Sequence, residues 1–233
     1  MQKPFIFFIL LFIYIINAHS EKLDYPSLQW VKSNEYKMLC SQIYQSAQHE
    51  FDRLDLTKVT SVMIEQSKNK NLPLAIVTDI DETILLNYDF QKEILEKNVP
   101  FSYNVFNKFI DLGEEIPIKP SIRYFQYLSK HSIKIIYISN RLAKTEVKTY
   151  KYLKKNGYPI SSIDDLLLQN EKENWGSNKS SRRTYISKRY TVIQMFGDNL
   201  KDFLETSEEA MKYQNKFGKS WFLLPNPIYG NWL

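Results

Sequence analysis

The sequence contains one cysteine, Cys40, and three histidines, His19, His49 and His131, among 233 residues. A single cysteine excludes an intrachain disulfide scaffold and any cysteine-rich zinc module. The histidines lie far apart and none sits at a metal-ligand spacing, so histidine chemistry has little support. Charge of one sign is also scarce: the net charge of +5 suits an anionic partner but is small for this length. There are no internal repeats and no low-complexity tract. Hydrophobic residues make up 43% and charged residues 24%, close to the globular average, which excludes disordered, collagenous and multi-span membrane classes. The length fits one domain, or one domain with an inserted cap.

The first twenty residues read as an export signal. Lys3 supplies a short positive region, Phe5 to Ile16 carry no charge, and Ala18 and Ser20 form a small-residue cleavage site after Ser20. The apolar stretch is shorter than the about 20 residues of a membrane-spanning helix. No cysteine stands at the cleavage point, which argues against a lipid anchor. No stable membrane span is expected after cleavage, and the destination is the periplasm, the cell surface or the exterior. Removing residues 1–20 takes away one lysine and no acid, leaving +4.

From Ser27, the apolar positions Trp30, Tyr36, Leu39, Ile43, Ala47, Phe51 and Leu54 recur every three or four residues, which predicts amphipathic helix. Cys40 falls near its apolar face, with an intermolecular disulfide left open. Short apolar runs then follow at 74–77, 133–138 and 190–196, with weaker ones at 166–168 and 221–224, each reading as a buried parallel strand. Helical patterns lie between them, around 120–130, 142–156, 181–189 and 200–216. Strands alternating with helices predict an α/β fold, a Rossmann-like open parallel sheet with right-handed crossovers. Residues 84–117 are too long for an ordinary loop and rich in aromatics, so they read as a cap insertion. The expected division is a core of about 72–83 and 118–233, and a smaller, mostly helical cap of about 21–71 and 84–117.

Ligands of such sheets bind beyond the carboxyl ends of the strands. Here the runs end in polar residues: Asp79 and Asp81, then Ser139 and Asn140, then Asp198. Asp-x-Asp-x-Thr at 79–83 is moderately specific alone and is equally a polar turn in which Thr83 caps the next segment. The order of the remaining pieces adds weight: Ser139-Asn140-Arg141, then Lys179, then Gly197 to Asp202. The basic stretch from Lys179 to Arg189 on its own reads as a solvated face, or as the footprint of an exported nucleic-acid binder.

Taken together, these motifs resemble the haloacid dehalogenase superfamily of aspartate-nucleophile phosphatases. More narrowly, IVTDIDETIL at 76–85, YISNR at 137–141, NEKENWGSNKSSRR at 170–183, GDNLKDF at 197–203 and the tail FGKSWFLLPNPIYGNW at 217–232 look like the class C acid phosphatases, the lipoprotein e family of 5'-nucleotidases. The resemblance covers about residues 27–233.

Phosphate monoesters hydrolyse so slowly that an enzyme must supply a nucleophile, neutralised charge and a proton for the leaving group. Asp79 would attack phosphorus and form an aspartyl-phosphate, and Asp81 would protonate the leaving oxygen and then activate water. Aspartate at the second position argues against dehalogenase chemistry, which needs no such acid. The resemblance implies Mg2+ held by Asp79, the Asp81 backbone carbonyl and Asp198, with Asp202 holding a metal-bound water or orienting the loop. Asp202 also reads as a helix N-terminal charge. Ser139, Asn140 and Lys179 would bind the phosphoryl oxygens, with Lys172 the rival for the lysine role. The family sandwiches a nucleobase between aromatics, which implies Phe106 in the cap and Tyr229 in the tail. Phe106 reads equally well as plain core. At 85–90 this chain reads Leu-Leu-Asn-Tyr-Asp-Phe where relatives read Leu-Asp-Asn-Ser-Pro-Tyr, so the placement of the cap loop stays open.

The resulting expectation is an exported, Mg-dependent acid phosphatase acting on small phosphomonoesters, nucleoside 5'-monophosphates in particular. Nucleic acid is not expected as a partner, and a homodimer is left open. The alternative from another class is a non-catalytic surface or storage protein that keeps the fold.

Overall fold

The computed structural model describes residues 25–65 and 72–230. The expected export signal at 1–20 lies outside them. Helix α1 (Pro26–Lys32) and helix α2 (Asn34–Asp52) occupy the first amphipathic stretch. They are two helices rather than one because Ser33 is extended and its side chain accepts from the Tyr36 amide, capping α2. Strand β1 (Leu74–Thr78) follows. The insertion then opens with β2 (Leu85–Leu86), continues through α3 (Tyr88–Glu96) and α4 (Tyr103–Leu112), and closes with β3 (Ile116–Pro117), which pairs antiparallel with β2. The remaining chain runs α5 (Lys119–Lys130), β4 (Lys134–Leu142), α6 (Glu146–Lys155), β5 (Leu166–Gln169), α7 (Ser180–Ser187), β6 (Thr191–Gly197) and β7 (Trp221–Leu223).

The five-stranded sheet has the order β5-β4-β1-β6-β7 with every pair parallel. The chain leaves β1 to one side for β4 and β5, then returns to the other side for β6 and β7. That reversal makes a topological switch point beside β1. In register, Thr78 stands opposite Tyr137 of β4 and Phe196 of β6, so Asp79 just beyond β1, Asp198 just beyond β6 and the last residues of β4, Ser139 and Asn140 among them, emerge on one rim.

Alternation along the strands divides the core in two. Ile76, Ile135, Tyr137 and Phe196 face one side, packing with Tyr44 and Phe51 of α2 and with Tyr124, Phe125 and Leu128 of α5. Val77, Ile136, Ile138 and Met195 face the other, packing with Ile186 of α7, Phe203 and Trp221. Tyr44 stacks on Phe196 with centroids 5.4 Å apart, and its hydroxyl donates to the Thr83 carbonyl at 2.9 Å, tying α2 to the loop after β1. Within the N-terminal segment, α1 therefore packs against α3 of the insertion while α2 covers the sheet. A small separate cluster of Phe90, Phe106, Phe109 and Ile110 forms the core of the insertion.

Residues 200–216 are not the α-helix that their pattern predicts. They form 3-10 turns at Leu200–Asp202 and Ser207–Lys216, the second broken by a non-helical Tyr213. No residue of the second stretch is fully buried, and Ala210 and Tyr213 pack only partly against the core, too narrow an apolar face to hold a longer helix in place. Among the described residues, no helix is long and apolar enough to cross a membrane.

Candidate active site

The rim gathers carboxylates around one ammonium group. Asp79 follows β1 directly, and its amide donates to the Phe196 carbonyl at 2.9 Å, so β6 fixes its backbone. The buried Lys179 ammonium, at the N-cap of α7, bonds Asp79 Oδ1 and also Asp202 Oδ1 at 2.6 Å. Asp198, just past β6, accepts from Asn226 Nδ2 at 2.7 Å and from Thr83 Oγ1 at 3.4 Å. Thr83 also reaches Asp79 Oδ2 at 3.3 Å. Asp202 is anchored by the Asn199 amide at 2.9 Å and lies so close to Gly197 that a Cβ there would fall 2.3 Å from its Oδ2. Glycine at 197 is therefore required by the site.

Carboxylate oxygens of Asp79, Asp198 and Asp202 lie within 4.8 Å of one another. Burial, followed by the charges of Asp202 and Asp79, holds Asp198 well above the ordinary carboxylate range. Burial pushes Asp79 up to about 7 against the opposing pull of Lys179, with Asp202 and Asp81 adding to the rise. Burial alone would lower Lys179, but the Asp202 and Asp79 charges outweigh it and raise its affinity for the proton. Three carboxylates around one ammonium leave negative charge uncompensated. The donors are all oxygen, so the group fits a hard divalent cation.

Asp81 is held apart from this cluster. The fully buried Arg141 contacts Asp81 Oδ1 at 2.8 Å through Nη2 and straddles both oxygens through Nε, while Asn87 Nδ2 donates at 2.8 Å. Arg141 Nη1 continues to Glu115 at 2.9 Å. Glu82 is in the left-handed region at φ 56 and turns its buried carboxyl toward the Asn87 amide and the Tyr229 hydroxyl. Burial, with Asp81 adding to it, pushes that carboxyl up to about 8.

These groups line a cavity of about 510 Å3 roofed by the insertion. Of the residues expected at the site, Asp79, Asp81, Asn140, Lys179, Asp198, Asp202, Phe106 and Tyr229 all border it. Ser139 does not: it is fully buried, and its hydroxyl donates to Asp81 Oδ2 at 3.3 Å. Asn140 uses its amide to join loops, donating to the Ser177 carbonyl at 2.9 Å and accepting from Arg182 at 2.6 Å. Arg182 also donates to the Ser139 and Gly176 carbonyls, so it stitches the loop before α7 to the end of β4. Lys172 is absent from the lining and sits over the rings of Trp175 and Tyr185.

Phe106 is only 7% exposed, packed with Phe90 at 4.9 Å, so it belongs to the core of the insertion as well as to the cavity wall. The open aromatic faces are Phe101 at 52%, Tyr103 at 36% and Tyr229 at 40%. The sequence alone pointed to no active-site role for Arg141, Glu115, Thr83 or Asn226. Arg141, Thr83 and Asn226 lay inside recognised motifs, whereas nothing at Glu115 marked it.

A parallel sheet with acidic residues and a lysine at its carboxyl rim under an inserted cap defines a phosphotransfer-type α/β protein of the haloacid dehalogenase class. The chain belongs to the HAD superfamily, subfamily IIIB (acid phosphatase), whose family model matches residues 20–232. This is a family of phosphoric monoester hydrolases. Two crystal structures of the class C acid phosphatase from Bacillus anthracis are similar. The tungstate-bound one has 28% identity and the other 27%, both with a TM-score of 0.76, covering 89% of this chain and 85% of that one. The stem 28 kDa glycoprotein of Glycine max is 24% identical over 158 residues, covering 66% of this chain. The matched region is 58% of that relative's length, less than two thirds of it.

Proposed function

We propose that the protein is an exported, Mg-dependent acid phosphatase that hydrolyses small phosphomonoesters through an aspartyl-phosphate, with nucleoside 5'-monophosphates as its substrate class. The observation that carries this reading is Asp79 paired to Lys179 beside Asp198 and Asp202 at the floor of a cavity. The tungstate held by the Bacillus anthracis enzyme, a tetrahedral oxyanion like phosphate, supports it further.

Asp79 and Asp198, with the Asp81 backbone carbonyl, would hold the cation. When bound it supplies the positive charge that lets an anionic nucleophile approach an anionic phosphate. An Asp79 carboxylate oxygen attacks phosphorus, and the electron pair of the breaking P–O bond passes to the leaving oxygen, which takes the Asp81 proton. Lys179 neutralises charge on the phosphoryl oxygens, with Asn140 beside it and Ser139 one layer behind against Asp81. Water then attacks phosphorus, giving its proton to Asp81. The pair of the P–Oδ bond returns to Asp79 as phosphate leaves. Asp202 keeps Lys179 aligned.

The core of about 72–83 and 118–233 would carry the carboxylates and Tyr229, while the cap contributes Phe101, Tyr103 and Phe106 to the aromatic wall. Tyr229, with Phe106 behind the more open Phe101 and Tyr103, offers faces for a base, and stacking on such faces is worth about 1–3 kcal/mol. Export rests on residues 1–20. The reading without catalysis is disfavoured because Asp79, Asp81, Lys179 and Asp198 are all present at the cavity.

Phosphate release from adenosine 5'-monophosphate and from an aryl phosphate, at acid pH with and without Mg2+, tests the proposal. Magnesium-dependent release from both is expected, with the nucleotide preferred. No release from a folded sample would contradict it.

A further inference from the structure

We propose that Arg141 is the positioning residue for Asp81, and that Glu115, at the exit of the cap insertion, holds Arg141 in its working orientation. The inference rests on the phosphatase reading of the site.

The guanidinium is fully buried and each of its nitrogens is engaged. Nη2 donates to Asp81 Oδ1 at 2.8 Å, and Nε lies 3.1 and 3.2 Å from Oδ1 and Oδ2. Nη1 donates to Glu115 Oε1 at 2.9 Å and to Thr149 Oγ1 at 3.3 Å. A planar, permanently charged fork held at one end by Glu115 fixes both the distance and the plane of the carboxylate at its other end. A lysine in its place would supply charge without that plane.

The two Asp81 oxygens are thereby made unequal. Oδ1 receives the 2.8 Å bond from Nη2, another of 2.8 Å from Asn87 Nδ2 and the Nε contact. Oδ2 has only the long contacts, 3.2 Å from Nε and 3.3 Å from Ser139 Oγ. The geometry points to Oδ2 as the oxygen that gives its proton to the leaving group and later takes one from water.

Glu115 lies outside the cavity lining and touches no reacting group. It sits between the left-handed Gly113 that ends α4 and strand β3, and its backbone carbonyl accepts from the Tyr152 hydroxyl of α6. The cap's return to the core therefore passes through the residue that clamps Arg141.

Leaving-group dependence separates this role from a merely structural one. An alkyl phosphate such as adenosine 5'-monophosphate must have its leaving oxygen protonated, whereas 4-nitrophenyl phosphate releases a stabilised anion. kcat/KM covers only steps through transfer to Asp79, so the second step does not obscure the comparison. In Arg141→Lys, kcat/KM for the nucleotide is expected to fall by about 10²-fold or more and for the aryl ester by less than about tenfold. Glu115→Gln, a milder change, is expected to show the same discrimination at about tenfold on the nucleotide, and it decides the matter if Arg141→Lys does not fold. Asp81→Asn supplies the reference pattern. Equal losses on both esters, or no loss on either, would overturn the inference while the phosphatase reading stands. A wild-type protein that releases no phosphate overturns both together.

Discussion

Adding one methyl group at Gly197 should dismantle the lysine-carboxylate cluster without replacing a charged residue. The new Cβ of Gly197→Ala would fall 2.3 Å from Asp202 Oδ2, 2.4 Å from its Cβ and 2.6 Å from its Cγ. Carbon contacts are comfortable only near about 3.5–4.0 Å, so Asp202 must retreat by about 1 Å. That retreat breaks the 2.6 Å bond from Lys179 and the 2.9 Å bond from the Asn199 amide. Hydrogen bonds to charged groups contribute about 1.5–3 kcal/mol each, and partial relaxation recovers some of this, so a stability loss of about 2–4 kcal/mol is expected. A displacement of about 1 Å in a positioned group can cost about 10²-fold in rate, and kcat/KM on an aryl phosphate should fall by that order. Urea denaturation read by fluorescence measures the first quantity and steady-state kinetics the second. A variant within about 0.5 kcal/mol of wild type and fully active would refute the packing argument.

Two further outcomes follow from groups whose proton affinity burial changes. Asp79, Asp198 and Glu82 have folded-state values raised above those of exposed carboxyls, so between about pH 4 and 8 the folded protein binds more protons than the unfolded chain. In chelator, stability should fall as pH rises through that window, and Mg2+ should flatten the fall; thermal melts that rise with pH in chelator would contradict this. Burial pushes the Cys40 thiol up to about 11, so the native protein should resist iodoacetamide near neutral pH and react once unfolded. Rapid native alkylation, or a disulfide-linked dimer on a non-reducing gel, would show that Cys40 is accessible.

The parts of the fold that were legible in the sequence were those with strong local patterns. Apolar runs ending in Asp79, Ser139 and Asp198 marked strands whose ends form one rim, because a buried parallel strand must be apolar on both faces. The insertion announced itself by length. The stretch 200–216 misled because its apolar spacing fits a helix, while the capping box at Asn199 and the merely partial burial of Ala210 and Tyr213 favour short 3-10 turns. At Phe106 the sequence left core and cavity open, and the structure packs it with Phe90, Phe109 and Ile110 in the core of the cap while it also borders the cavity. The Arg141–Glu115 pair was invisible because its partners lie 26 residues apart on different elements and meet only in the folded chain. Ser139 carried the right residue type, but its direction toward Asp81 is a property of the β4 end, not of composition.

In the proposed mechanism Asp79 would be the group that accepts the phosphoryl. The decisive measurement is phosphate release by Asp79→Asn beside wild type in Mg2+, with matched thermal melts to establish that both are folded. Magnesium-dependent turnover by wild type and none by the folded variant is the predicted result; a folded variant that turns over at the wild-type rate would contradict the aspartyl-phosphate mechanism.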